Sequence, residues 1–482
     1  MQGENSLDLK SSTKKGIFWS TAGNIANQGM RFVFGIILAR ILAPSDYGVI
    51  GMLTVFITVV QLFVESGFSK AIITKQDRTQ IDLSTAFYFN AGVGVFGYLV
   101  LFLLAPLISS FYNMPILTPI LRVTGVGVVI NSLNIVQTAQ FAIRLDFKTP
   151  ALISVASNVL TGFIGIFLAY NGFGVWSLVF QSLGGSLLTL ILSWLTAKWL
   201  PSFVFSNDSF KYMWNYGYKV LGSSLISTLY DNIQPLIIGK FFSAGSLGLF
   251  SRAQGFASLP SSNLSGVFNS VTFPLLSKIN GDIIRLADVY RRLVKMSAYI
   301  VFPLMIGLAA LSEPVVKILL PERWYGCILM LQILCFSLVW QPISAVNINL
   351  LNAAKRPDVV LKLEFIKKPI GILLLFASIP FGIYAMCIAN LIICLFSVVI
   401  NTYMTSRVLN VKFWGQVKDI TPVLLHSVIM GCLVYAITFI NVPNIVVICL
   451  GILIGIGYYL VVSKLFMPKL MQDAIYMIKR EA

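Results

Sequence analysis

Asn24, Asn27, Gln28 and Arg31 stand at i, i+3, i+4 and i+7 in the stretch "NIANQGMR". On a helix, that spacing puts four hydrogen-bonding side chains on one face. Arg31 offers a planar fork of N–H donors suited to phosphate or carboxylate oxygens. The amides offer donors and acceptors suited to hydroxyl groups. Apolar residues flank the stretch, "GIFWSTAG" before it and "FVFGIILA" after it, so the face lies within a run long enough to cross a bilayer. An arginine at a bilayer centre costs about 2.5–3.5 kcal/mol on insertion scales and turns toward protein or a water-filled cavity. Two readings stand: hydrogen-bonded packing inside a bundle, or a recognition face for a polar, anionic molecule.

Further stripes follow. Thr54, Thr58, Gln61 and Glu65 recur at i, i+4, i+7 and i+11, and Ser224, Ser227, Asp231 and Gln234 at i, i+3, i+7 and i+10. Arg252 precedes "SLPSSNLSG", where Pro260 and small polar residues permit bending. Gln61, Gln234 and Arg252 join the span-one stripe as candidate binding residues. Asp231 and Glu65 are candidates for ion coupling or for pairing between halves of the chain, although Glu65 also reads as a solvated helix end. Arg122 reads as snorkelling or as a site residue, His426 as packing, and Lys367 and Lys368 as interfacial anchors.

These residues must be held by membrane helices. Hydrophobic residues make up 57% of the 482 and charged residues 11%, a balance that excludes a soluble domain. Fourteen apolar spans are expected: 16–39, 46–65, 83–109, 115–137, 150–171, 173–197, 215–239, 246–277, 296–319, 327–351, 363–380, 382–405, 421–440 and 444–466. The polar N-terminus lacks the apolar core of a signal peptide, so the first span is expected to be retained. With that N-terminus in the cytoplasm, 28 of the 35 Lys and Arg fall on the inner side and 4 on the outer. This asymmetry predicts cytoplasmic termini, and it makes the net charge of +17 a topology signal rather than a sign of nucleic-acid binding. All six cysteines fall in apolar spans and read as buried thiols.

An internal repeat sets the larger organisation. "GIILARILAPSDYGV" (35–49) matches "PLIIGKFFSAGSLGL" (235–249), placing Gly48 against Gly248, and "FGVWSLV" (173–179) echoes "FGIYAMC" (381–387). Six spans plus six of the same orientation predict two lobes related by an axis along the membrane normal. The expected layout is a cytoplasmic tail (1–15), an N-lobe (16–198), a cytoplasmic linker (199–214), a C-lobe (215–405), and two further spans with a tail (406–482). The register sets Arg31 and Asp231 at equivalent positions. They are predicted either to bridge the lobes as an ion pair or to serve a substrate anion and a coupling cation separately.

Absences narrow the chemistry. The sequence has no G-x-x-x-x-G-K-[ST] phosphate loop, no H-E-x-x-H, no Cys/His cluster and no G-x-S-x-G turn, so no metal or other cofactor is expected. The outer loops are all short, which argues against a glycan polymerase or transferase. A transporter is the leading class.

At "GIFWSTAGNIANQGMRFVFGIILARILAPSDYGVIGM" (16–52), and again at "NGFGVWSLV" (171–179), the chain resembles the polysaccharide-unit flippases of the multidrug/oligosaccharidyl-lipid/polysaccharide (MOP) exporter superfamily. The branch is the Wzx type, with the O-antigen, teichuronic-acid and colanic-acid exporters. The resemblance implies a two-lobed helical fold like that of the multidrug exporters, in a bacterial cytoplasmic membrane. It implies an oligosaccharide on undecaprenyl diphosphate as substrate, moved from the cytoplasmic to the outer leaflet, with membrane lipids and H+ or Na+ as further partners. Relatives that flip lipid-linked peptidoglycan precursor use cationic cavity residues. Arg31 and Arg252 match that pattern, whereas the span-two position expected to be basic is Met52. The cation-coupled drug exporters share the fold and remain the alternative; their coupling carboxylates are represented here at depth by Asp231.

Overall fold

In lipid, a backbone N–H or C=O without a partner is costly, so apolar stretches close their hydrogen bonds within themselves as helices. The computed structural model describes residues 2–65, 67–279 and 281–473, and no strand occurs among them. The chain divides into two compact units, Met1–Gly248 and Leu249–Ala482.

The first unit holds α1 (Gln2–Ile41), α2 (Pro44–Glu65), α3 (Phe68–Thr74), α4 (Gln80–Tyr112), α5 (Leu117–Ser132), α6 (Ile135–Ile143), α7 (Lys148–Tyr170), α8 (Val175–Ala197), α9 (Asn207–Asp231) and α10 (Ile233–Phe241), with the first residues of α11 (Ala244–Lys278). Within it α1 runs beside α7, α7 beside α8, and α4 beside α2 and α5. The second unit continues α11 and adds α12 (Ile283–Ala310), α13 (Ser312–Leu319), α14 (Cys327–Leu338), α15 (Gln341–Ala353), α16 (Pro357–Ser378), α17 (Ile383–Leu409), α18 (Phe413–Ile437) and α19 (Asn444–Phe466). Here α12 lies along α18, α18 along α19, and α17 against α14, α15 and α16.

The polytopic all-helical reading holds. Among the described residues, 10 helical segments are long and apolar enough to cross a membrane. The expected spans in α1, α9, α11 and α16 fall outside that set because polar residues interrupt them, the Asn24–Arg31 stripe in α1 and Lys362, Glu364, Lys367 and Lys368 in α16.

Four expected spans are broken in two, at α5–α6, α9–α10, α12–α13 and α14–α15. In three of them a proline stands in the first turn of the second helix: Pro235, Pro314 and Pro342. Proline lacks the N–H that would continue the preceding helix, but it fits a helix start. The cysteines need a correction as well. Cys327, Cys335 and Cys387 are buried and Cys394 is intermediate, but Cys432 and Cys449 are exposed. An apolar thiol can face lipid as readily as core, so hydropathy alone does not bury it.

The ends of the helices are tied together. In the first unit Trp199 Nε1 donates to Gln80 Oε1 at 2.7 Å, Gln80 Nε2 donates to the Leu200 carbonyl at 2.8 Å, and Ser206 N–H donates to Thr85 Oγ1 at 3.0 Å. The linker after α8 is thereby pinned to the start of α4. Thr79 and Asp82 cap α4 reciprocally, and Asp82 also takes an ion pair at 2.9 Å from Lys75, whose ammonium this hydrogen bond holds above its ordinary range.

Both sequence echoes correspond to helix starts. Gly174 and Gly382, at positive φ, precede α8 and α17. Gly48 and Gly248 carry the stronger constraint. A Cβ on Gly48 would lie 1.7 Å from the Ala244 carbonyl oxygen, and one on Gly248 would lie 1.8 Å from that of Pro44. The starts of α2 and α11 therefore cross reciprocally at the 200-residue offset, backbone against backbone, where only glycine fits.

A Gly48→Val substitution forces these backbones apart. Overpacking of this kind costs about 1–3 kcal/mol, and each kcal/mol is worth about 2–4 °C in a domain of this size. The thermal midpoint of the purified protein should fall accordingly. Gly29→Val, with nothing within 4 Å of its Cβ, should leave it unchanged. Equal midpoints for the two variants would rule out the close approach.

Candidate functional site

Gly67, at φ +75°, separates α2 from α3. A side chain there would be strained, and its Cβ would lie 3.0 Å from Gly217 Cα of α9. The tight turn delivers Ser69 and Lys70 to the same cavity as Gln61 and Glu65 of α2. The α5–α6 break contributes Asn131, Asn134 and Thr138, and α9 contributes Ser224. All belong to the first unit. The cavity measures about 480 Å³, within the range of about 300–1,000 Å³ common for small-molecule sites.

Amides, hydroxyls and one charge of each sign share its lining with Leu62, Ile135, Val220 and Leu221. Glu65 and Lys70 are exposed, and neither takes part in the described ion pairs. Gln61 Oε1 and Asn134 Oδ1 are buried and accept no hydrogen bond. A buried acceptor left without a donor costs about 1–3 kcal/mol, so these two oxygens favour any molecule that brings hydroxyl or N–H donors into the cavity. Lys70 supplies a flexible ammonium for an anionic oxygen. Planar amides beside hydroxyls can bridge neighbouring hydroxyl groups of a polyol. Among the described residues, no cluster of three or more His, Cys, Asp and Glu gathers as a metal site would.

The structure divides the residues that the sequence grouped. Gln61 and Glu65 line the cavity, and Thr54 is spent within α2, donating to the Ile50 carbonyl at 2.8 Å. The α1 stripe lies elsewhere. Asn27 Oδ1 accepts from Asn158 Nδ2 of α7 at 2.9 Å, the packing role weighed for it, and Gln28 is partly buried. Asn24 and Arg31 are exposed on α1. Asp231 is exposed at the end of α9. Gln234 is buried on α10.

Arg252 belongs to the second unit. Its guanidinium lies 5.4 Å from the Trp324 ring centroid and 6.0 Å from that of Phe256, an aromatic setting worth about 0.5–2 kcal/mol. Arg122 lies 4.2 Å over Phe102. His426 packs on Phe466 at 5.4 Å with Nδ1 3.4 Å from the Tyr458 hydroxyl. Lys367 is buried and paired with Glu364 at 2.6 Å.

Five polar cavity residues escaped the sequence reading: Ser69, Lys70, Asn131, Asn134 and Thr138. Asn131, Asn134 and Thr138 stand at i, i+3 and i+7, a stripe as regular as the others but shorter, at the end of an expected span. Lys70 was absorbed into the charge count of a loop, because the Gly67 turn that folds it inward has no signature beyond one glycine.

The fold and the sequence both have relatives. The profile of the family described as "Polysaccharide biosynthesis protein" matches residues 37–329. The teichuronic acid biosynthesis protein TuaB of Bacillus subtilis is 25% identical over 393 residues, 78% of this chain and 79% of its own. The lipopolysaccharide biosynthesis protein WzxC of Escherichia coli is 26% identical over 367 residues, 75% and 74%. The solved lipid II flippase MurJ, in an inward closed conformation, superposes with a TM-score of 0.79 over 94% of this chain and 100% of that one, at 18% identity, a likeness of fold. The resemblance read from residues 16–52 and 171–179 is thus borne out. Since the profile spans more than half of a chain whose helices are built to cross a membrane, this protein belongs to the polysaccharide biosynthesis protein family.

Proposed function

We propose that this chain is a flippase: it carries an oligosaccharide linked to undecaprenyl diphosphate from the cytoplasmic to the outer leaflet of a bacterial cell membrane. The observation that carries the reading is the cavity of the first unit, which sets amides, hydroxyls and Lys70 among apolar helices. The relatives and the fold point to a transporter rather than a catalyst.

In this reading Gln61, Asn131 and Asn134 exchange hydrogen bonds with sugar hydroxyls, and Lys70 meets a diphosphate oxygen. Arg31 and Asn24, exposed on α1, offer a second cationic, hydrogen-bonding face. Gln234 and Arg252 hold helices in place. The polyprenyl tail stays in lipid while the headgroup crosses by alternating access of the two six-helix lobes. With the interior negative and both termini cytoplasmic, outward movement of an anion gains about 2.3 kcal/mol per charge per 100 mV. Proton or sodium exchange at Asp231 or Glu65 is the other source of drive.

In liposomes loaded with a lipid-linked oligosaccharide, Lys70→Gln should lower the rate of outer-leaflet appearance about tenfold or more, the worth of one hydrogen bond to a charged group. Lys70→Arg should keep part of the rate, and Gln61→Leu should lose several-fold. Wild-type rates in Lys70→Gln would remove the cavity from the transport path. Export of cationic dyes instead of the lipid would favour a drug exporter.

Topology has its own test. In a background lacking the exposed thiols Cys432 and Cys449, an impermeant maleimide applied to intact cells should label Asn171→Cys and spare Asp288→Cys. The reverse labelling pattern would invert the assigned orientation and with it the direction of transport.

A further inference from the structure

A second polar cavity, of about 770 Å³, lies in the second unit where the ends of α12, α18 and α19 meet. Its charged groups come from three segments that the charge pattern assigns to one side of the membrane. Arg291, Arg292 and Lys295 stand on α12, Lys418 and Asp419 on α18, and Lys469 and Asp473 follow α19. Arg291 Nε donates to Asp419 Oδ2 at 2.6 Å, Lys295 Nζ pairs with Asp419 Oδ1 at 2.8 Å, and Arg292 pairs with Asp473. Two carboxylates thereby hold three cations in place. Lys418 and Lys469 are exposed and take part in no ion pair among the described residues. With the exposed Asp288, the lining sets five cations against three carboxylates.

We propose that this cavity binds the headgroup of an anionic glycerophospholipid of the phosphatidylglycerol type. The surplus charge calls for an anion, and Lys418 and Lys469 are free to meet a phosphodiester. A zwitterionic headgroup would bring a like charge beside them. Asp288 can accept from a glycerol hydroxyl. The remaining wall is apolar, with Pro422 and Val423 of α18 and Phe466 at the end of α19. Phe466 is 69% exposed and its neighbour Leu465 68%, as expected of side chains turned to lipid. A soluble anion has no use for that wall, whereas the upper acyl chain of a phospholipid does. Basic pockets between membrane helices on the cytoplasmic side are suited to such headgroups. None of the residues assigned to the transport cavity takes part, so the site stands whether or not the transport reading does.

The test uses the full-length protein in nanodiscs carrying trace photoreactive phosphatidylglycerol or phosphatidylcholine with the same acyl probe. Phosphatidylglycerol should label peptides of α12, α18 and α19 roughly tenfold more than phosphatidylcholine, given two extra cation contacts. The double variant Lys418→Gln, Lys469→Gln should fall to the phosphatidylcholine level with an unchanged thermal midpoint, while Lys418→Arg, Lys469→Arg should retain labelling. Equal labelling by the two lipids, or full labelling of the glutamine variant, would overturn the proposal. So would displacement by millimolar inorganic phosphate, which would mark a soluble-anion site, or by equimolar undecaprenyl phosphate, which would assign the site to the carrier lipid.

Discussion

The need to satisfy every backbone group away from water governs this molecule. It makes the apolar stretches helical, and it also determines where they can stop being helical. An interrupted helix leaves unpaired carbonyls and N–H groups that need side chains, water or a polar cavity. At the α9–α10 break, the Asn232 side chain and its N–H both donate to the Thr228 carbonyl, at 2.8 and 3.1 Å, closing the end of α9 locally. The α2–α3 and α5–α6 breaks instead border the same cavity. Two of the interruptions thus coincide with a cavity that carries amides, hydroxyls and charged groups, while the α9–α10 break is closed by its own Asn232.

Close packing supplies the second constraint. The crossing of Gly48 and Gly248 brings two helix starts to backbone contact, and the same glycines are the clearest marks of the repeat in the sequence. A contact in which each helix start faces the backbone of the other must find a residue that fits on both sides. Without a side chain at either position, each helix start can lie against the carbonyl of the other.

Much of the architecture was legible because its causes are local. Span boundaries follow hydropathy, three of the four broken spans carry a proline just past the break, and both echoes coincide with helix starts. The site was legible only in part. The stripe Asn24–Arg31 has the right period for one face, but period does not say what the face meets; Asn158 of α7, distant in sequence, claims Asn27 and leaves Arg31 exposed. Of the span-two stripe, Gln61 and Glu65 at the end of α2 line the cavity. Lys70 could not be read from period at all, because its place depends on one left-handed glycine. The exposed Cys432 and Cys449 make the complementary point: in a membrane protein the apolar surface is an outside as well as an inside.

The electrostatics of the first cavity bear on how a transporter must work. Most of the carboxylates in the described ion pairs neutralise lysines and arginines near helix ends, as Asp82, Asp419 and Asp473 do. The cavity itself keeps one carboxylate and one ammonium, and neither Arg31 nor Arg252 lines it. Two unit charges at 4 Å attract by about 4 kcal/mol at an effective dielectric of 20, and each 1.4 kcal/mol changes a dissociation constant about tenfold. A cage of arginines around a diphosphate would therefore hold its cargo too long to release it. In the proposed flippase, a nearly neutral cavity with amides that trade hydrogen bonds with water at little net cost would recognise a glycan by its hydroxyls while leaving its departure fast. Modest affinity spread over many neutral contacts is what the proposed carriage of a sugar headgroup requires.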